Sequence, residues 1–360
     1  MSPANYRFRL ALSACALLAG SLPARAQTPV GHNLILQNFH FADGETLSEL
    51  RLHYVTFGSP RKDASGIVRN AVLILHGTGG AGTQFLNPVF AAELFGPGQL
   101  LDTTRYLVIL PDDIGHGGSS KPSNGLRAHF PHYGYADMVV AEYRLVTEGV
   151  HADHLRLVMG TSMGCMHSWM WGERYPEFMD GLVPLACVPT QIAGRNRIWR
   201  KLAMTDIRGD PAWKGGDYTT EPAGLAAAVG VLLLVGSNPV QYLKAAPTRD
   251  AADSVLAARM QSALQADDAN DLLYQLDASR DYDPSGQLEQ IVAPVLAINS
   301  ADDVINPPET GLMEQFMPRV KHVRYVLIPL SDATRGHGTH TVAAVWKSYL
   351  AEFMAALPPI

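Results

Sequence analysis

The chain has 360 residues, 47% of them hydrophobic and 17% charged, which excludes a disordered chain and allows one large α/β domain with an inserted subdomain. Its formal net charge of −6 disfavours a nucleic-acid or anionic-membrane partner. No segment repeats at a fixed period and no low-complexity tract occurs.

Residues 1–26 read as a signal peptide. Arg7 and Arg9 precede an apolar run from Leu10 to Leu22, and Ala24-Arg25-Ala26 offers a small-x-small cleavage site. The run falls short of the ~20 apolar residues that span a bilayer, so the expectation is a periplasmic or secreted protein without stable membrane insertion. Three of the 28 Lys and Arg and none of the 34 Asp and Glu lie in this segment, which leaves a mature balance of −9. Cleavage also removes Cys15. Cys165 and Cys187 then remain inside apparent core segments, without the spacing of a disulfide framework, and are expected to be buried small side chains.

Strand-like runs follow at Asn33–Phe41 and Leu50–Phe57, and Ala42-Asp43-Gly44 between them predicts an antiparallel hairpin. Further runs at Ala71–Leu75, Tyr106–Leu110, Leu155–Met159, Leu182–Cys187, Pro294–Ile298 and Val323–Ile328 alternate with helix-length stretches such as Ala136–Gly149 and Met163–Tyr175. That alternation predicts a mostly parallel sheet with helices on both faces. From residue 190 to 288 the pattern turns helical, with Glu221–Leu234 and Ala251–Leu273 the clearest stretches and no convincing strand. The expected organisation is a sheet core over 27–189 and 289–360, interrupted by a helical cap over 190–288.

The run Leu155–Met159 leads into Gly160-Thr161-Ser162-Met163-Gly164 and then a helix-like segment, which is G-x-S-x-G in its strand–turn–helix setting. A nucleophile on such a turn is lifted above the sheet, and glycine on either side removes a collision that larger residues would cause. The fold predicted is the α/β-hydrolase fold. Met163 N–H opens the helix and is one expected oxyanion donor. The other should come from the loop Leu75-His76-Gly77-Thr78-Gly79-Gly80, with Thr78 N–H first and Gly79 second. Gly77 to Gly82 also spells G-x-G-x-x-G, but no acidic residue closes a next strand about 20 residues on, as a dinucleotide site would need.

A serine hydroxyl needs a base, and the base an acid, in the chain order Ser, Asp or Glu, His. Pro294–Ile298 runs into Asp302-Asp303, and Val323–Ile328 is followed by Gly336-His337-Gly338-Thr339-His340. Spacing leaves Asp302 and Asp303 level. His337, between glycines, is the better base; His340 belongs to the start of the next helix, and His116 is structural. No paired-cysteine or H-E-x-x-H spacing supports a metal, so neither metal nor cofactor is expected.

The chain resembles the homoserine O-acetyltransferase branch of the α/β-hydrolases over most of its mature length. The residues that carry the likeness are Gly96-Pro97-Gly98, Asp102–Tyr106, Tyr135–Val139, Gly160–Gly164 with Met166, Asp210-Pro211-Ala212-Trp213 and Gly215-Gly216-Asp217-Tyr218. In that family the acid precedes a proline by four positions, as Asp303 precedes Pro307, so the resemblance assigns Asp303, with Ser162 and His337, to the triad. It also implies a homodimer. The chain departs from the family at Gly164-Cys165-Met166-His167, where Gly-Gly-Met-Gln is usual, at the hydrolase-like Pro111–Ser119, and at Gly338, where transferases often carry an acid. Together with export away from acetyl-CoA, these departures favour hydrolysis of a small acyl ester over transfer to homoserine. A transferase with the same triad is the alternative, and a non-catalytic binding protein on this fold a more distant one.

Overall fold

The computed structural model describes residues 28–359; the expected signal peptide lies outside them. An opening hairpin joins β1 (Val30–His40) to β2 (Thr46–Phe57), antiparallel as predicted. Then come β3 (Ala71–Leu75), α1 (Pro88–Leu94), β4 (Leu107–Pro111), α2 (Tyr135–Arg144), β5 (Leu157–Thr161), α3 (Met163–Arg174) and β6 (Leu182–Leu185). Five helices follow: α4 (Gly194–Gly209), α5 (Ala223–Val235), α6 (Pro239–Ala245), α7 (Arg249–Ala266) and α8 (Ala269–Asp277). The chain closes with β7 (Val295–Ser300), α9 (Leu312–Phe316), β8 (Val323–Ile328) and α10 (Ala343–Ala356).

One eight-stranded sheet has the order β1-β2-β4-β3-β5-β6-β7-β8, and every pairing from β4 to β8 is parallel. Parallel strands need both faces covered, and β3 shows how the sequence meets that need. Ala71, Leu73 and Leu75 point into one core with Met138, Val139 and Trp169, while Val72 and Ile74 point into the other with Phe90, Leu94 and Trp346. Each apolar side chain so buried contributes about 1.5–3 kcal/mol, and α2 and α3 cover the first face as α1 and α10 cover the second.

Between β6 and β7 the regular structure is helical among the described residues, with no strand. The continuous helix expected over Ala251–Leu273 is two helices. Asp268 breaks it, because its side chain accepts the amides of Asn270 and Asp271 and so caps α8.

Candidate active site

The carboxyl ends of β3, β5, β7 and β8 converge on one edge of the sheet, and the residues singled out in the sequence lie there. β5 ends at Thr161, and α3 begins at Met163. Ser162 between them has φ 55° and ψ −108°, a conformation that a non-glycine residue holds only at a cost of about 1–3 kcal/mol. The flanking glycines are obligatory. A Cβ on Gly160 would stand 2.0 Å from Gly164 O, and one on Gly164 would stand 2.3 Å from Leu75 O. The turn is tied on both sides, by Ser162 N–H to Leu185 O and by Gly164 N–H to His76 O, each at 2.9 Å.

Ser162 Oγ lies 2.8 Å from His337 Nε2, and His337 Nδ1 lies 2.8 Å from Asp303 Oδ2. The carboxylate can only accept, so Nδ1 carries the proton and Nε2 is free to take one from Ser162. Asp303 Oδ1 accepts the amides of Ile305 at 2.8 Å and Asn306 at 3.2 Å. Burial alone would push the Asp303 carboxyl up, but the charge and hydrogen bond of His337 and these two amides hold it below its ordinary value. Asp302, the other acid of the pair, turns away from the imidazole and binds Asn238 Nδ2 at 2.6 Å and the Gly336 amide at 3.0 Å.

His340 sits in a short turn just before α10 rather than in its first turn, with its ring 5.1 Å from that of His337. Burial, then the neighbouring His337, lowers its pKa to about 3, so it is neutral. Thr78 lines the same cavity as Ser162 and His337. Met163 is the first residue of α3, so its N–H has no acceptor within the helix. Gly79, the second choice for a donor, has φ 74°. The cavity holds about 300 Å³ and also touches Gln84, Asn87, Phe90 and His340; none of its lining residues is Asp, Glu, Lys or Arg.

Two features escaped the sequence. Cys165 and Cys187 are joined in a disulfide, which corrects the expectation of two separate buried side chains. Cys165 faces β6 from the first turns of α3, and Cys187 follows β6, so strand–helix packing brings their Cα atoms to 5.9 Å. Arg200 of α4 is buried, with Nη1 unpartnered; it lies beside Tyr135, which in turn faces Thr78, and the Tyr135 hydroxyl and Thr78 Oγ1 also lack partners. The helical pattern of α4 marks Arg200 only as one of several basic residues.

Behind α3 lies a further buried group made of His76, Asp113, Glu142 and His167. Burial, then the neighbouring Glu142, raises the Asp113 carboxyl to about 8, and burial raises Glu142 to about 7. Burial also lowers His167. His116 beside them donates from Nδ1 to Ile114 O at 2.9 Å, and its ring lies 4.9 Å from that of His76.

A family model for the alpha/beta hydrolase fold matches residues 70–224. A probable acyltransferase of Methanothermobacter thermautotrophicus is 29% identical over 84% of this chain and 90% of its own length. A homoserine O-acetyltransferase of Pelobacter propionicus is 30% identical over 80% of this chain and 86% of its own. Among solved structures, the homoserine O-acetyltransferase of Bacillus anthracis superposes with a TM-score of 0.79 at 20% identity, over 92% of this chain and 99% of that one. The acetylester hydrolase of Corynebacterium glutamicum also gives 0.79 at 20% identity, over 91% and 96%. At that identity the structures speak for the fold alone. The chain is an enzyme of the α/β-hydrolase fold family with a role in acyl transfer or hydrolysis. Within that family it belongs to the homoserine O-acetyltransferase-like branch.

Proposed function

We propose that the protein is an exported acyl-ester hydrolase working through an acyl-enzyme on Ser162. His337 Nε2 takes the Ser162 proton as Oγ attacks the carbonyl, then gives it to the leaving alcohol as the tetrahedral intermediate collapses. Asp303 holds the imidazole in the Nδ1–H form and stabilises its cation. The Thr78 and Met163 amides receive the oxyanion. Water, activated by the same histidine, releases the acid.

The observation that carries water over an amino acid as acceptor is the cavity at Ser162, whose lining has no ionised side chain to pair with an ammonium or a carboxylate. A neutral ester fits such walls without desolvating charge. The disulfide supports export, since such bonds persist in oxidising compartments. Exposed Leu234, Leu243 and Leu256 on neighbouring helices α5, α6 and α7 support a homodimer.

A second reading, transfer of an acyl group to homoserine or a similar acceptor, is the one the names of the sequence relatives favour. Arg200 lies close to the Ser162 cavity, beside Tyr135 and so near Thr78, but is not part of its lining. The test is turnover of short and medium p-nitrophenyl esters by the mature protein, with and without homoserine. Nitrophenol release and free acid in equal amounts, indifferent to homoserine, are expected. Acylated homoserine as the main product would replace this reading with the second.

A further inference from the structure

Asp113, Glu142, His167 and His76 come from four separate elements and meet behind the nucleophile helix. Asp113 follows β4, Glu142 lies on α2, His167 on α3 one turn beyond Ser162, and His76 follows β3. All four side chains are at most 2% exposed. Both carboxylate oxygens of Asp113 lack a hydrogen-bond partner, and among the described residues no Lys or Arg pairs with Asp113 or Glu142. Two buried carboxylates without a partnering cation are costly.

We propose that these four residues form a structural site for a divalent cation of the zinc class, bound through Asp113 Oδ2, Glu142 Oε1, His167 Nδ1 and His76 Nε2. This departs from the expectation of no metal, which rested on sequence spacing and on His337 and His340.

The geometry suits such an ion. Tetrahedral zinc with bonds of about 2.0–2.1 Å separates its ligand atoms by about 3.3 Å. Here His76 Nε2 and Asp113 Oδ2 are 3.6 Å apart, His167 Nδ1 and Asp113 Oδ2 are 3.8 Å apart, and His167 Nδ1 and Glu142 Oε1 are 2.6 Å apart. Asp113, Glu142 and His167 each bring one donor atom within 4.8 Å of the others. His76 stands outside that group of three, so its ring would have to move toward Glu142 and His167 to complete the sphere.

The surroundings orient two of the donors, on His76 and Glu142, as metal ligands are usually oriented, while His167 Nε2 has no partner. His76 Nδ1 donates to Gly77 O at 2.8 Å, which leaves the Nε2 lone pair facing Asp113. Trp171 Nε1–H donates to Glu142 Oε2 at 2.5 Å, which leaves Oε1 for the ion. The His167 ring packs edge-on against Tyr135. Two contacts would yield, the hydrogen bond from the Asp113 amide to His76 Nε2 at 3.1 Å and the one from His167 Nδ1 to Glu142 Oε1 at 2.6 Å, whose proton would pass to His167 Nε2. Two carboxylates and two neutral imidazoles balance a 2+ charge and leave no open position, so the ion would staple α2 and α3 to the sheet without touching substrate.

The test is metal content by mass spectrometry of the whole mature protein, expressed with zinc and washed with a chelator, beside His167→Gln and Glu142→Gln. The expected result is about one zinc per wild-type chain and less than a tenth of that in either variant. A Tm that rises with zinc in the wild type alone is expected too, with fluorophosphonate labelling of Ser162 checking that the variants fold. Substituting Co²⁺ should give the visible absorption of a tetrahedral site. Wild-type protein with no more zinc than the variants overturns the proposal in favour of a cluster neutralised by protons alone. Zinc retained by folded variants equally overturns it, since the ion would then lie elsewhere.

Discussion

Asp302 accepts the Gly336 amide at 3.0 Å, one residue before His337, while its neighbour Asp303 accepts His337 itself. The two adjacent acids therefore divide the work: one fixes the backbone from which the imidazole hangs, the other its tautomer. Gly336 has φ 61°, and a Cβ there would come within 3.2 Å of Asp302 O, so loop and acid are fitted to each other.

This division predicts unequal effects on ester hydrolysis. Asp303→Asn should lower kcat roughly 10³–10⁴-fold, because the imidazole loses its proper tautomer. Asp302→Ala should cost only about 10–100-fold through misplacement of His337, and Asp302→Asn, which keeps an acceptor for Gly336, should recover most of that. Equal losses at both positions would contradict the assignment.

At Thr78 the backbone rather than the side chain is the group expected to act. Thr78→Ala keeps the N–H and should leave kcat within about threefold, whereas Thr78→Pro removes it and should cost about 10²–10³-fold. Steady-state kinetics, with Tm as the check on folding, separates the two.

The disulfide closes a loop with a sequence separation of 22, for which chain entropy gives about 3 kcal/mol. Denaturant unfolding of Cys165→Ser/Cys187→Ser should show a loss of that order, and reductant should lower the wild type and leave the double variant unchanged.

Glu173, on α3, has Oε1 buried without a partner, and burial, then the nearby Asp283, raises its carboxyl from 4.5 to about 8. The folded protein thus holds this proton more tightly than the unfolded chain does. The contribution to stability is complete below pH 4.5 and is lost as pH climbs through 8. Glu173→Gln should therefore match the wild type near pH 4 and exceed it at pH 9, by at least about 1 kcal/mol or roughly 2 °C in Tm. A variant less stable than the wild type at pH 9 would contradict this.

The sheet and the positions of Ser162 and His337 were legible because their signals are local. β3 and β8 have the bounds their apolar runs predict, and Ser162 is marked by glycines that the turn physically requires. The choice of Asp303 over Asp302 was not local. Both follow β7, and only the tertiary position of Gly336 separates them; a family resemblance supplied what spacing could not. Cys165 and Cys187 lie on a helix and after a strand whose packing no spacing rule encodes. The same holds for Asp113, Glu142 and His167, which are scattered charges until α2 and α3 fold over β4. Asp268 lay within a stretch read as one helix, and its role as a cap became visible only with the fold.

The central claim is a covalent acyl group on Ser162, and rapid quenching of the mature protein with p-nitrophenyl acetate tests it most directly. Peptide mass spectrometry should find the acetyl group on the peptide carrying Ser162, accumulating in a burst when deacylation is the slower step and absent from Ser162→Ala. Turnover that persists in Ser162→Ala at the wild-type rate, or an acyl group on another residue, would contradict the account.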